Sequence, residues 1–358
     1  MASKTLKRRT PSKKPRPTAN TRTSSKPRSR RSFVIDVHAH WTSPPEVVAF
    51  TRGRTVDSSI PPGAPEHLAA LDRKWTAEFQ HKQNDLDARL REMDRTGVDM
   101  QVVTTGILRT CTYFAPPEVG LKMDRLINER TAEMVAKAPG RLVGLGSVPL
   151  QAPELAAQEL ERCLKELGLK GVQISSQVND MELGDTRLRP FWAAAERLGA
   201  AVFLHPAGVL GERYNRWQLW NSLGQNIEEA LAMASLFYEG TLDAFPRLKL
   251  CIAHGGGFLP YAAGRVDRNY EDKAWTRMNM TKPPSRYLRE NFYYDTCVYN
   301  PEMLDTLVDK VGTARIMLGS DFPVGEEDPV GFVRNCRKLS SADKERILGG
   351  NAAQWLGL

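Results

Sequence analysis

From residue 33 to the carboxyl terminus, short apolar runs alternate with longer stretches in which apolar residues recur every three or four positions. The short runs read as strands buried on both faces and the longer ones as amphipathic helices. The strand candidates are 33–37, 98–104, 141–148, 170–174, 200–204, 248–253, 292–296 and 315–318. Helical patterns fall at 85–95, 118–138, 153–167, 188–198, 227–245, 301–311 and 342–348. Pro153-Glu154 suits a helix start, and Gly168, Gly199 and Gly312 stand where helices should end. Strands alternating with helices predict an α/β fold, a (β/α)8 TIM barrel over 33–358. A doubly wound open sheet is the alternative. It would place a Gly-rich nucleotide loop after the first strand, and the sequence has none there. Residues 41–83, with Pro44, Pro45, Pro61, Pro62 and Pro65, read as a small irregular insertion capping the barrel mouth.

In such a barrel, chemistry sits at the carboxyl ends of the strands. The first run ends in Asp36-Val37-His38-Ala39-His40. Side chains two apart on a strand share a face, so His38 and His40 can converge on one point, as metal ligands do. Of the six histidines, His205 and His254 also follow apolar runs directly, and Asp321 follows the eighth. Five residues suited to metal binding or proton transfer thus share one rim. His67 and His81 lie in the 41–83 segment and read as ordinary polar residues.

Charge alters this picture at one end. The formal net charge is +8, yet residues 1–32 carry twelve Lys/Arg and no acid, which leaves the remainder at −4. The tail has too few large apolar residues to fold by itself and is expected to be disordered. It reads as a solubilising extension, a nucleic-acid or anionic-surface arm, or a transit sequence; it has no apolar core for a secretory signal. No apolar run is long enough to span a membrane. The five cysteines are scattered, without C-x-x-C, which fits free thiols in the cytoplasm.

The ordered motifs resemble the amidohydrolase superfamily, and its decarboxylase branch most closely. They are D-V-H-A-H at 36–40, R-E-M-D-R-T-G-V at 91–98, R-L-V-G-L-G-S-V-P-L-Q-A-P-E-L at 141–155, F-L-H-P at 203–206, A-H-G-G-G at 253–257, L-G-S-D-F-P at 318–323 and G-N-A-A-Q-W-L-G-L at 350–358. The resemblance implies that His38, His40, His205 and Asp321 bind one divalent metal, Zn²⁺ or Mn²⁺. The superfamily's two-metal hydrolases often use a lysine after strand four, where this chain has Ile174-Ser175-Ser176. The resemblance also makes His254 the proton-handling residue beside the metal, with Asp321 sharing in catalysis. Arg265 matches an arginine donated across a homodimer, and Trp217 an aromatic that closes over the substrate.

The activity so implied is non-oxidative decarboxylation of a small unsaturated or aromatic carboxylic acid, such as aminocarboxymuconate semialdehyde. One departure counts against that particular substrate. The family's second substrate arginine maps by gapless alignment to Gln80, with Arg73, Lys74, His81 and Lys82 as nearby substitutes. Two other readings remain. One is a metal-dependent hydrolase of an amide, lactone or C–C bond. The other is a nucleic-acid binder that uses the basic tail.

Overall fold

The computed structural model describes residues 32–358 except 55–59, 61–62, 210–212 and 215. The expected tail therefore lies outside the described residues, as do Pro61 and Pro62.

Eight strands form one sheet: β1 (Ile35–Trp41), β2 (Met100–Thr105), β3 (Leu142–Gly146), β4 (Gly171–Ile174), β5 (Ala201–Leu204), β6 (Lys249–Ile252), β7 (Phe292–Asp295) and β8 (Ile316–Met317). Each pairs in parallel with the next in chain order. Backbone bonds from Val37 to Leu318 and between His40 and Phe322 bring the last strand to the first. The result is a nearly closed (β/α)8 barrel, as the alternation of runs predicts. Val172, Val202, Phe203, Leu250, Ile252 and Leu318 are fully buried. That is why the runs are continuously apolar: one face of each strand fills the barrel and the other packs under the helices.

The helices begin and end where the punctuation indicates. Proline stands at the start of α4 (Pro117–Ala136), α5 (Pro153–Lys165), α10 (Pro284–Glu290) and α11 (Pro301–Val311). Gly199 ends α6 (Arg189–Leu198) in the left-handed conformation. Another long helix, α7 (Gln225–Tyr238), ends earlier than the sequence pattern suggests, and a short α8 (Thr241–Ala244) follows the left-handed Gly240.

The segment after β1 differs from the reading as an irregular insertion. It contains α1 (Pro45–Thr51) and the 19-residue α2 (Glu66–Asn84), followed by α3 (Leu86–Thr96). The prolines cluster before α2, and its interior holds neither Pro nor Gly. None of its residues is buried. It therefore lacks the apolar stripe that marks a core helix in sequence. Among the described residues, no helix is long and apolar enough to cross a membrane.

Candidate metal centre

β1 carries His38 and His40 on one face, within the strand rather than beyond it. His38 is fully buried and His40 is 8 % exposed. His205 follows β5, and Asp321 follows β8. One ligand atom from each of His38, His40, His205 and Asp321 lies within 4.8 Å of those of the others. His38 Nε2 is 3.2 Å from His40 Nε2 and 3.2 Å from Asp321 Oδ1, and His40 Nε2 is 3.1 Å from the same oxygen.

Each imidazole is anchored through its other nitrogen. His38 Nδ1–H donates to Asp295 Oδ2 at 2.7 Å, His40 Nδ1 bonds Thr104 Oγ1 at 3.2 Å, and His205 Nδ1–H donates to the Pro206 carbonyl at 3.0 Å. This leaves three Nε2 atoms and a carboxylate oxygen facing one point, a donor set suited to a divalent ion whose ligands are oriented by a surrounding hydrogen-bonded shell.

The electrostatics of His205, His40 and Asp321 match that reading, whereas His38 keeps a proton that a bound ion would have to displace. Burial and neighbouring imidazoles hold His205 well below the usual histidine range, and burial likewise lowers His40. Both are therefore neutral, as ligands must be. Burial opposes charge on His38, but Asp321 and Asp295 outweigh it and raise its pKa to about 9. Burial also opposes charge on Asp321, yet His38 and the other imidazoles keep it ionised, well below the usual carboxylate range. The cluster supplies negative charge to a buried point ringed by imidazoles.

His254 stands beside this group, its Nε2 3.9 Å from Asp321 Oδ2. Its Nδ1–H donates to Glu229 Oε1 at 2.5 Å. Glu229 lies on α7, is fully buried, and has no partner for Oε2 among the described residues. Burial pushes its carboxyl up to about 7. Gly257, at φ +59°, allows this approach: a Cβ there would lie 2.3 Å from the Asn226 carbonyl and 2.9 Å from Glu229 Oε2.

A second buried network fixes β1. Asp36 accepts from Ser320 N at 2.9 Å, Ser320 Oγ at 2.6 Å and Gln101 Nε2 at 3.0 Å. Arg89, fully buried on α3, bonds Gln101 Oε1 at 2.9 Å and the His40 carbonyl, and its guanidinium lies over Phe322. Gly319 admits the His38–Asp295 pair, since a Cβ there would meet Asp295 Cβ at 2.7 Å and His38 Cβ at 3.0 Å.

Five of the residues singled out in the sequence thus meet at one rim. Trp217 does not join them as a buried wall: it is 87 % exposed. Arg265 is exposed on α9 (Ala263–Asp272). Gln80 is exposed on α2. Two of its neighbouring cations face acids on the same helix, Arg73 with Glu66 and Lys74 with Glu78, and His81 faces Asp85 just beyond it. Asp295, Glu229, Asp36 and Arg89 were not singled out. Asp295 carries a usable signal, an acid ending an apolar strand. Glu229 is hidden beside Glu228 in a helical pattern.

The amidohydrolase family model matches residues 35–358. The chain belongs to this family. It is 35 % identical to 2-amino-3-carboxymuconate-6-semialdehyde decarboxylase of Dictyostelium discoideum, over 92 % of each chain. It is 30 % identical to gamma-resorcylate decarboxylase of a Polaromonas species, over 78 % of this chain and 90 % of that one. Among solved structures, the Polaromonas dihydroxybenzoic acid decarboxylase with bound manganese and 2-nitroresorcinol superposes with a TM-score of 0.79 at 27 % identity, covering 91 % of this chain and 97 % of that chain. The Sphingomonas paucimobilis 5-carboxyvanillate decarboxylase gives 0.76 at 27 % identity, over 91 % and 99 %.

Proposed function

We propose that this amidohydrolase-family chain is a metal-dependent, non-oxidative carboxy-lyase acting on a small aromatic or unsaturated carboxylic acid. The observation that carries the reading is the convergence of His38, His40, His205 and Asp321 beside a histidine braced by a buried glutamate. When bound, a divalent ion at those four residues would polarise substrate oxygens next to the scissile carboxyl. His254, braced by Glu229 through Nδ1, keeps Nε2 directed at the reaction space. The C–C bond to the carboxyl breaks, CO2 leaves, and the electron pair stays on carbon. His254 Nε2–H then delivers the proton that makes the new C–H bond.

Manganese, seen in the Polaromonas relative, and zinc both suit three imidazoles and a carboxylate. The absence of a lysine in Ile174-Ser175-Ser176 favours a single ion. The exposure of Arg265 on α9 supports a role as a residue donated across a homodimer to bind the substrate carboxylate. The cytoplasm suits the five free cysteines.

The test is CO2 release by manganese- or zinc-loaded protein from 2,6-dihydroxybenzoate, 5-carboxyvanillate and aminocarboxymuconate semialdehyde. Metal-dependent CO2 from one of these acids is expected. Hydrolysis of amide or lactone substrates by metal-loaded protein, with no CO2 from any acid, would overturn the proposal.

A further inference from the structure

The helix α2 turns its apolar stripe towards the solvent. Its half-buried residues are Ala69, Asp72, Thr76, Phe79 and Gln83, which recur at helical spacing and mark the side that faces the barrel. Leu68, Leu71 and Trp75 share a neighbouring face at i, i+3 and i+7, and they are 45 %, 62 % and 55 % exposed. The Trp75 ring stacks on Phe79 with centroids 5.4 Å apart, so the stripe continues through Phe79. The aliphatic stem of Lys82 stands on the same face one turn further on. Single exposed apolar residues are ordinary, but a continuous stripe along one helix marks a surface that another molecule covers.

The charges around the stripe narrow what that molecule is. α2 carries three acids, Glu66, Asp72 and Glu78, and three Lys/Arg, Arg73, Lys74 and Lys82. With both signs present and no formal net charge, it lacks the cationic face of a helix that lies on an anionic membrane. Residues 1–32 offer Met1 and Leu6 as their only large apolar side chains, too few to cover the stripe. A second α2 running antiparallel matches it. About a two-fold axis at Trp75 the stripe meets itself: Leu71 falls opposite the partner's Phe79, and Leu68 opposite the stem of the partner's Lys82. Lys74 and Glu78 border the exposed edge of the stripe, 3.9 Å apart. In this arrangement each Lys74 is within reach of the partner's Glu78, so the attraction is made twice.

We propose that α2 is a self-association surface whose partner is a second copy of this chain, bound antiparallel about a two-fold axis at Trp75. The surface is isologous, so every contact occurs twice and the assembly closes. It does not rest on the carboxy-lyase reading, and it is distinct from the face that carries Arg265: α2 follows β1, whereas α9 follows β6. One helix pair buries less than a standard interface, so the complex should form at about micromolar concentrations.

The experiment is sedimentation velocity of the full chain and of Leu71→Asp from about 1 to 100 μM, with disulfide trapping at two positions of α2. Wild type should associate reversibly over this range. Leu71→Asp should halve the mass at high concentration, with an unchanged circular dichroism spectrum; an association made by the α9 face alone would survive the substitution. Four of the native cysteines are buried and Cys111 is half-buried, so a cysteine placed on α2 is the accessible thiol. On oxidation Trp75→Cys should give a disulfide-linked pair of chains, whereas Ala77→Cys, exposed on the opposite side of α2, should not. No concentration-dependent association in wild type, an unchanged mass in Leu71→Asp, or equal trapping at the two positions would each overturn the proposal. So would binding of wild type to anionic vesicles that Leu71→Asp loses, which would assign the stripe to a membrane.

Discussion

His254 and Glu229 show how one buried carboxylate can set the chemistry of its neighbour. The 2.5 Å contact ties up Nδ1, and Nε2 is left to face Asp321. His254→Ala should retain metal and lose about 10²- to 10⁴-fold in kcat, the usual worth of a positioned acid or base. Glu229→Gln keeps the shape and removes the charge. Its kcat should fall with KM and metal content unchanged, and steady-state kinetics beside metal analysis would check both variants. The histidines and Asp321 were legible in the sequence because each follows an apolar run, a pattern that survives without coordinates. Glu229 was not. Its role depends on which helix face turns inward, and that leaves no spacing signature.

Among the elements, β1 depends on what surrounds it. Asp36 and Arg89 bind it to β2, α3 and the segment after β8, so that two histidines on one strand hold a fixed pitch. Gly319 is the tight point of that arrangement. Gly319→Ala should leave a folded barrel by circular dichroism but weaken metal binding at least tenfold, because its Cβ would enter the space of His38 and Asp295. Metal affinity unchanged in this variant would count against the close packing described. The eight strands were readable as apolar runs because the barrel buries both of their faces. The helix α2 was not, because none of its residues is fully buried and it sits behind a proline cluster that reads as irregular chain.

At the scale of the molecule, the excess positive charge lies in residues 1–32, apart in sequence from the residues of the metal centre. Removing residues 1–32 should leave metal-dependent turnover intact while taking the formal net charge from +8 to −4; lost turnover in a folded, truncated protein would contradict this. Stability has its own pH dependence away from the site. Burial pushes Asp124 up to about 7, against hydrogen bonds from Ser147 and Thr112 that favour the ionised form. The folded chain thus keeps a proton that the unfolded chain loses near its ordinary pKa of about 4. This group's contribution is complete below that value and is lost as pH rises towards 7. Asp124→Asn, which stays neutral, should gain in Tm relative to wild type between pH 5 and pH 8 by calorimetry. A constant difference would refute the shift.

The central claim is that four residues hold one catalytic ion. The most direct measurement is manganese titration of chelator-stripped protein, with bound metal and CO2 release from the best aromatic acid recorded together. Wild type should regain activity in proportion to metal and saturate at one ion per chain, while Asp321→Ala should neither hold the ion nor release CO2. Full CO2 release by stripped protein, or normal binding and activity in Asp321→Ala, would contradict the account.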